Sequence, residues 1–255
     1  MKTELKIAWR YLFSKKQFNA IHIITAISSA AVGVVTAAMI CVLSVMNGFG
    51  VLVEQMFSQF DPDLRITAQT GKSFSISEEK RGELLDLPSV NLLSESITET
   101  ALVYFEDKQM PVQLMGVDSC FAALTEIEQI ITDGHYEVYD GAFDRAVLGQ
   151  GLAWKLGIGA RFVRGIEVYA PKREGKVNML RPDVNFNRET CFISGTFAVN
   201  QQKYDENMML VDINLTRRLL DYSANDVSAL QIGLVEGYST KNAKREISSV
   251  LGEGY

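Results

Sequence analysis

The one fragment of this 255-residue chain that suggests nucleotide chemistry is Gly71-Lys72-Ser73. A phosphate-binding loop of the Walker A type carries a further glycine five residues before such a triplet, because its backbone must fold tightly around the phosphates. Ile66 occupies that position here, so the sequence does not specify the phosphate cradle. We expect the triplet to be a surface turn, and the sequence predicts no cofactor for this chain.

Side chains for metal or nucleophilic chemistry are equally sparse. The two histidines, His22 and His135, have no cysteine or histidine neighbour at the spacing of a zinc site. No Gly-x-Ser-x-Gly sequence marks a hydrolase nucleophile. Carboxylates are plentiful, but the sequence alone does not pair them. The pattern favours a protein that is not an enzyme, without catalytic or metal-binding residues, and leaves a membrane-tethered hydrolase as the minor alternative.

A long uncharged run dominates the N-terminal part of the chain. No Asp, Glu, Lys or Arg occurs in the 37 residues from Gln17 to Val53. A helix of about 20 apolar residues spans the hydrocarbon core of a bilayer, whereas the apolar part of a signal peptide has only about 7–15 residues. We therefore predict one uncleaved transmembrane helix with a stalk over residues 21–60, ended by Asp61-Pro62-Asp63 because proline disfavours helix at the preceding residue.

The charges on the two sides of this run are strongly asymmetric. The residues before it hold five basic side chains and one acidic one, a net charge of +4, and those after it hold 20 basic and 30 acidic ones, a net charge of −10. The positive-inside rule then places the N-terminus in the cytoplasm and the large domain outside it. Residues 1–20 form a basic amphipathic segment typical of contact with membrane lipid. The acidic domain excludes a nucleic-acid partner. Whether Cys120 and Cys191 form a disulfide outside the cytoplasm is left open.

Small residues recur at every fourth position inside the predicted span. Ser29, Gly33 and Ala37 share one face of the helix. Such spacing lets the backbone of a second helix approach closely. We therefore predict that Ser29, Gly33 and Ala37 pack against another span, and the alternative is that small residues are simply common in spans.

Residues 61–255 alternate segments typical of strands and helices and predict an α+β domain of two lobes. Ser77 is a suitable N-cap, Glu106-Asp107-Lys108 suggests a hairpin turn, and Gly157 a helix end. The predicted strands are 64–68, 97–105, 109–117, 161–170, 190–197, 208–211 and 227–234. The predicted helices are 78–87, 121–131, 150–156, 215–221 and 240–251. Residues 132–145 and 171–188 are predicted to be loops.

Several stretches resemble one family of membrane proteins. Ser44 to Phe49 followed by Asp61 to Ile66 is similar to the end of the first span and the start of the periplasmic domain in LolC/LolE permeases of lipoprotein-releasing ABC transporters. Val147 to Gly157 resembles the G-x-x-L-A-x-x-L-G helix of the wider family that includes MacB macrolide exporters and the cell-division permease FtsX. Further similarity is found at Ile7 to Leu12, Phe192 to Phe197, Tyr204-Asp205 and Met208 to Val211.

The resemblance implies a permease subunit in the cell inner membrane that performs no covalent chemistry. A separate ATPase subunit would bind ATP, a second permease copy or paralogue would pair with this one, and lipoproteins would pass to a periplasmic carrier. Such permeases continue into three further spans, so this chain resembles their N-terminal portion. The alternatives are a related permease for small-molecule export or cell-wall hydrolase regulation, and a single-pass periplasmic binding or sensor protein.

The predicted loop over 171–188 is locally basic on an acidic domain. It holds five basic residues against Glu174 and Asp183, a net charge of +3. Loops beyond about 12–15 residues are usually functional or disordered. By its resemblance to this family, the segment before Gly195-Thr196-Phe197 corresponds to the hook with which LolC captures its carrier. The corresponding segment of LolE does not have that role. We therefore predict a hook, with a solvated loop as the alternative. The predicted carrier-binding residues are Met179, Leu180, Arg181 and Phe186.

Overall fold

A computed structural model of the protein describes residues 3, 4, 6, 7, 10, 20–58, 62–160, 164–173 and 185–252, with the backbone alone for 20–22 and 51–58. The chain divides into two compact units, Met1–Gln55 and Met56–Tyr255. The mixture of one apolar helix and a sheet-rich domain confirms the predicted α+β class.

Helix α1 (Ala20–Ser58) contains residues 20–53 of the uncharged run, and residues 17–19 lie outside the described residues. Its segment Ile23–Gly50, 28 residues with a mean hydropathy of 2.2, is long and apolar enough to cross a membrane. The described side chains of this segment are exposed, as lipid-facing side chains would be. The predicted apolar helix is therefore confirmed.

The described strands of the second unit are β1 (Leu64–Thr67), β2 (Phe74–Ser75), β3 (Val90–Phe105), β4 (Lys108–Val117), β5 (Ile131–Gly134), β6 (Arg145–Gly149), β7 (Ile166–Pro171), β8 (Phe186–Phe197), β9 (Met208–Asp212), β10 (Asp226–Val227) and β11 (Ala229–Leu234). Nine of them form one sheet, in the order β1-β11-β3-β4-β9-β6-β8-β5, with β7 paired to both β3 and β8. A separate pair joins β2 to β10.

Six of these strands close into a barrel. The pairs β3–β4, β4–β9, β9–β6, β6–β8, β8–β7 and β7–β3 complete a ring. Alternate residues of β9 fall in two different cores, Met209 and Val211 inside the ring and Met208 and Leu210 outside it. A strand buried on both faces reads as a continuous apolar run, which explains why this strand was predictable from its sequence.

Six further α-helices are described in the second unit. The further helices are α2 (Glu78–Leu85), α3 (Phe121–Thr125), α4 (Gln150–Leu156), α5 (Gln202–Asp205), α6 (Ile213–Leu220) and α7 (Thr240–Leu251). Helices α4 and α6 contribute to the barrel core, and α2 and α7 to a separate core over β1, β11 and the start of β3. We call this second part, formed by β1, β11, residues 90–96 of β3, α2 and α7, the open lobe. The barrel and the open lobe correspond to the two predicted lobes.

Strand β3 belongs to both lobes. Along one edge, its residues 90–96 pair with β11 and its residues 102–104 pair with β7. At the crossover, the buried Glu95 carboxylate accepts hydrogen bonds from Arg81 of α2 and, at 3.0 Å, from Arg217 of α6. An ion triad with one carboxylate and two guanidinium groups therefore joins the two lobes.

The predicted helix cap, hairpin turn and helix end are confirmed. The Ser77 hydroxyl accepts the Lys80 N–H at 3.4 Å and caps α2. Residues Phe105 and Lys108 pair across a two-residue turn, where Glu106 has a φ of 53°. Gly157 ends α4 with a φ of 78°, a conformation that favours glycine.

Other predicted elements were wrong in extent. The helix predicted over 121–131 stops at Thr125, because Glu126 adopts a left-handed φ of 49° and a 3₁₀ turn (Ile127–Ile130) follows. The loop predicted over 132–145 begins with β5, paired to β8. The loop predicted over 171–188 is shorter, because Pro171 pairs with Phe186 and the Lys172 N–H donates to the Asn185 carbonyl at 2.9 Å.

Candidate functional site

The strands that lead into the predicted hook carry an apolar patch on the outside of the barrel. A groove of about 380 Å³ is lined by Leu102, Tyr104, Gln109, Tyr169 and Phe186. We call Leu102, Tyr104, Tyr169 and Phe186 the aromatic patch. Phe186, one of the predicted carrier-binding residues, is 41% exposed. The patch can bury apolar surface of a partner, which is the main source of affinity in protein interfaces.

Strand periodicity explains why these side chains meet. Successive side chains of a strand point to opposite faces. Val103 of β3 and Val168 of β7 lie in the barrel core, so their neighbours Tyr104 and Tyr169 point outward. The register pairs Leu102 with Tyr169 and Pro171 with Phe186. The closed ring therefore assembles residues that are far apart in sequence into one surface.

A polar rim borders the aromatic patch. The Tyr169 hydroxyl donates to the Glu167 carboxylate at 2.6 Å, and the Arg188 guanidinium lies 3.6 Å from the same carboxylate. The hydrogen bond to Glu167 raises the pKa of Tyr169 above its usual value. Tyr169 therefore remains a neutral phenol, with its ring on the patch and its hydroxyl on the rim.

The described residues on the two sides of the predicted hook contact the end of α6 and the residues after it. The Asn187 side-chain amide donates to the Leu219 carbonyl at 3.0 Å and to the Asp221 carboxylate at 2.8 Å. On the opposite arm, the Arg173 guanidinium lies 4.0 Å from the centre of the Tyr222 ring. Both arms are thus held at fixed positions beside the aromatic patch.

The remaining predicted hook residues lie outside the part of the chain that the structure describes. These are Met179, Leu180 and Arg181, and their contact with a carrier stays a prediction. The structure brings Phe186 together with Leu102, Tyr104 and Tyr169, which were not among the predicted carrier-binding residues. A period-two pattern of large outward side chains was their signal in the sequence.

The small-residue stripe of α1 is exposed in the part of the chain that the structure describes. Ser29, Gly33 and Ala37 are exposed, and a Cβ added at Gly33 would meet no described atom within 4 Å. A second helix could therefore approach this face. Packing of Ser29, Gly33 and Ala37 against another span stays a prediction.

The groups considered for chemistry occupy structural positions. Lys72 of the Gly-Lys-Ser triplet lies in an exposed turn and pairs with Glu99 at 2.8 Å. Among the described residues, no three His, Cys, Asp or Glu side chains are arranged to hold a metal ion. Cys41, Cys120 and Cys191 are free thiols, and burial raises the pKa of Cys191. The described surface therefore offers contact surfaces rather than a cluster of reactive side chains.

The described chain combines a helix of membrane-spanning length with an α+β domain made of a barrel and an open lobe. The chain belongs to the family of MacB-like periplasmic core domains, whose model matches residues 25–250. This confirms the family resemblance inferred from the sequence.

One similar curated protein is the lipoprotein-releasing system transmembrane protein LolE of Haemophilus influenzae, which is 22% identical over 250 residues. The match covers 95% of this chain, and the chain spans 57% of the length of that relative.

Two solved structures share the fold. The periplasmic region of MacB from Actinobacillus actinomycetemcomitans has a TM-score of 0.52 at 7% identity, covering 77% of this chain and 85% of that one. The extracellular domain of the noncanonic ABC-type transporter YknZ from Gram-positive bacteria has a TM-score of 0.50 at 15% identity, covering 71% of this chain and 84% of that one. At these identities the likeness concerns the fold alone.

Proposed function

We propose that this chain is the N-terminal part of a permease subunit of an inner-membrane ABC transporter that extracts lipoproteins and passes them to a periplasmic carrier. The observation that carries the proposal is the match of 95% of the chain to LolE, a protein of a lipoprotein-releasing system. Membership of the MacB-like family supports a permease. In this proposal the chain catalyses no covalent step, and ATP is bound by a separate subunit.

The proposed topology places residues 1–20 in the cytoplasm and the sheet domain in the periplasm. It is supported by the net charge of +4 before the apolar run and −10 after it. Alkaline phosphatase, which is active only in the periplasm, should be active when fused after Glu106, in the exposed turn between β3 and β4, and inactive when fused after Lys16. Activity in the opposite pair would reverse the topology.

The aromatic patch and the hook form the proposed carrier site. Met179 and Leu180 would insert into the carrier, Phe186 would continue that apolar contact on the barrel, and Arg181 would orient an acidic carrier surface. The local charge of +3 supports this role, since complementary charge accelerates encounter. The anchored arms at Asn187 and Arg173 would limit the entropy lost on binding.

Site-specific photo-cross-linking tests this carrier site. A benzoylphenylalanine at position 186 should capture the soluble lipoprotein carrier of the same host, and Phe186→Ala should weaken carrier binding by about tenfold, as expected for an apolar anchor. Val235 is the matched control, because its exposed fraction of 41% equals that of Phe186. Equal capture from positions 186 and 235 would remove the aromatic patch from the proposal.

The proposed partner span would lie against Ser29, Gly33 and Ala37. Gly33→Leu should weaken association of the permease subunits by about 1 kcal/mol, because the two backbones could no longer approach closely. Val35→Leu, on another face of α1, is the control. Cysteine cross-linking along both faces measures the effect, and equal losses for the two variants would indicate that the stripe faces lipid.

Inside the sheet domain, the described contacts offer a route from the start of β1 to the proposed carrier site. The Asp63 carboxylate, close after α1 in sequence, accepts the Leu234 N–H of β11 at 2.8 Å. Strand β11 pairs with β3, and β3 continues to Leu102 and Tyr104 in the aromatic patch. A displacement of β1 would therefore be transmitted to the aromatic patch through paired strands.

A further inference from the structure

The open lobe has an unpaired sheet edge beside a helix. Strand β1 ends the sheet and, among the described residues, pairs with β11 alone. A groove of about 340 Å³ lies between this strand and α7. Its walls are Leu64, Arg65, Ile66 and Thr67 on one side and Lys244, Ile247, Ser248, Leu251 and Gly252 on the other.

The groove follows the edge of β1 rather than one of its faces. Successive residues of a strand point to opposite faces, yet all four residues of β1 line the groove. A groove in contact with both faces must pass along the backbone edge. Peptide-binding domains that add a strand to a sheet use the same arrangement, in which a strand edge supplies hydrogen bonds and a helix supplies the opposite wall.

The groove combines an apolar floor with a basic rim. Ile66, Ile247 and Leu251 are 9%, 4% and 5% exposed. Arg65 and Lys244 are exposed, and no carboxylate occurs among the described lining residues. This basic site stands on a domain whose net charge is −10. Its charge is complementary to an acidic ligand.

We propose that this groove binds an extended acidic segment of a partner protein, which adds to β1 as a further strand. In such a segment, side chains alternate between the two faces. Those on the α7 side would be apolar and would contact Ile247 and Leu251. Those on the other side would be acidic and would face Arg65, while Lys244 attracts the segment from the helix wall.

A second copy of this chain is a poorer occupant. A twofold pairing of β1 with β1 of another copy would place two Arg65 side chains close together across the new ladder. Like charges in opposed positions destabilise paired strands. The proposed site also lies in the open lobe, whereas the aromatic patch lies on the barrel, so the two can be tested independently.

The test uses the full chain in detergent micelles and a defined probe. The probe is a capped eight-residue peptide of alternating aspartate and valine, and the matched probe carries lysine in place of aspartate. The aspartate peptide should bind at least about tenfold more tightly than the lysine peptide, a difference expected from complementary charge. Equal binding of the two peptides, or no binding of either, would overturn the proposal.

Neighbouring residues of α7 provide matched variants. Lys244→Glu should weaken binding of the aspartate peptide by about tenfold, whereas Arg245→Glu, an adjacent exposed cation outside the groove, should change it less than about twofold. Ser248→Trp should block the groove, and Ser249→Trp should not. Equal losses for Lys244→Glu and Arg245→Glu would show attraction to the surface charge in general, and equal losses for the two tryptophan variants would show binding outside the groove. Either result would overturn the site.

Hydrogen exchange distinguishes strand addition from other modes of binding. Bound peptide should slow the exchange of backbone amides in residues 64–67, because a new ladder would use their outward groups. Protection confined to α7 would overturn strand addition. If Lys244→Glu instead abolishes self-association of the chain in sedimentation experiments without affecting peptide binding, a second copy occupies the groove and the proposal fails.

Discussion

The barrel and the open lobe share strand β3, but they differ in whether the edges of their strands are paired. In the barrel, β4, β6 and β9 are paired along both edges, and the ring closes through β7. Closure removes the edges at which other strands could add. In the open lobe, the sheet ends at β1, with a basic groove beside its free edge. Among the described residues, the strands between which the ring closes therefore offer mainly side chains for binding, whereas β1 of the open lobe also offers backbone groups.

The largest expected effect concerns the ion triad at which the two lobes meet. Glu95→Gln should lower the free energy of unfolding by about 3 kcal/mol, because two largely buried guanidinium groups would lose their shared carboxylate. Urea unfolding followed by far-UV circular dichroism measures this, and two separate transitions would show that Glu95 couples the lobes.

Glu99→Gln is the control for this prediction. Glu99 lies on the same strand and also pairs with a cation, but that cation, Lys72, is 74% exposed in its side chain. Exposed ion pairs contribute about 0–1 kcal/mol. Glu99→Gln should therefore lower the free energy of unfolding by less than about 1 kcal/mol. Similar losses for Glu95→Gln and Glu99→Gln would contradict the view that the triad joins the lobes.

Alanine substitutions at two glycines test how tightly each lobe is packed. A Cβ at Gly149 of the barrel would lie 2.4 Å from the Asp205 carbonyl oxygen, whereas a Cβ at Gly82 of α2 meets no described atom within 4 Å. Gly149→Ala should destabilise the protein by about 1–3 kcal/mol through overpacking. Gly82→Ala should stabilise it by about 0.5–1 kcal/mol, since alanine suits a helix interior. Thermal unfolding measures both variants, and shifts of the same sign would contradict this difference.

The smallest expected effect is a pH dependence in the loop before β6. The Asp140 carboxylate accepts hydrogen bonds from the Phe143 and Ala142 N–H groups and from Arg145, which lowers its pKa from 3.8 to about 2. Because the pKa is depressed in the folded state, the stabilisation is present above the usual pKa and is lost as the pH falls through about 2.

Unfolding midpoints of the wild type and Asp140→Asn test this dependence. The difference between the two proteins should be constant above pH 5 and should shrink as the pH falls from about 4 towards 2. A difference between the two unfolding midpoints that grows on acidification would contradict this prediction. Because this loop belongs to the barrel, the open lobe should show no change in its own acid response.

The sequence predicted those elements whose signals are local. Composition alone predicted α1, the Ser77 cap predicted the start of α2, and Gly157 predicted the end of α4. The first half of β3 was missed because Ser94, Glu95 and Ser96 are polar. In the structure they are buried, since Ser94 and the backbone of Glu95 donate to Asp118 and the Glu95 side chain pairs with two arginines. Partners distant in sequence made that strand possible.

The candidate site was predicted only in part for the same reason. Phe186 was selected because it belongs to a long basic segment that resembles a hook. Leu102, Tyr104 and Tyr169 join it only when β7 pairs with β3 and closes the barrel. Ring closure depends on the register of strands about 65 residues apart, which no local pattern in the sequence expresses. The groove beside β1 was missed likewise, because it requires α7 to pack against the first strand of the domain.

In the proposed topology, the burial of Cys191 inside the barrel has a consequence in an oxidising compartment. Its side chain is fully buried, and burial raises the pKa of the thiol. The thiolate is the form that attacks disulfides and alkylating reagents, so Cys191 is shielded by the same closure that removes the strand edges. Before the ring forms, that sulfur is open to exchange with Cys120 or with oxidants. Completion of the barrel thus ends the period during which the nascent domain can acquire a wrong disulfide.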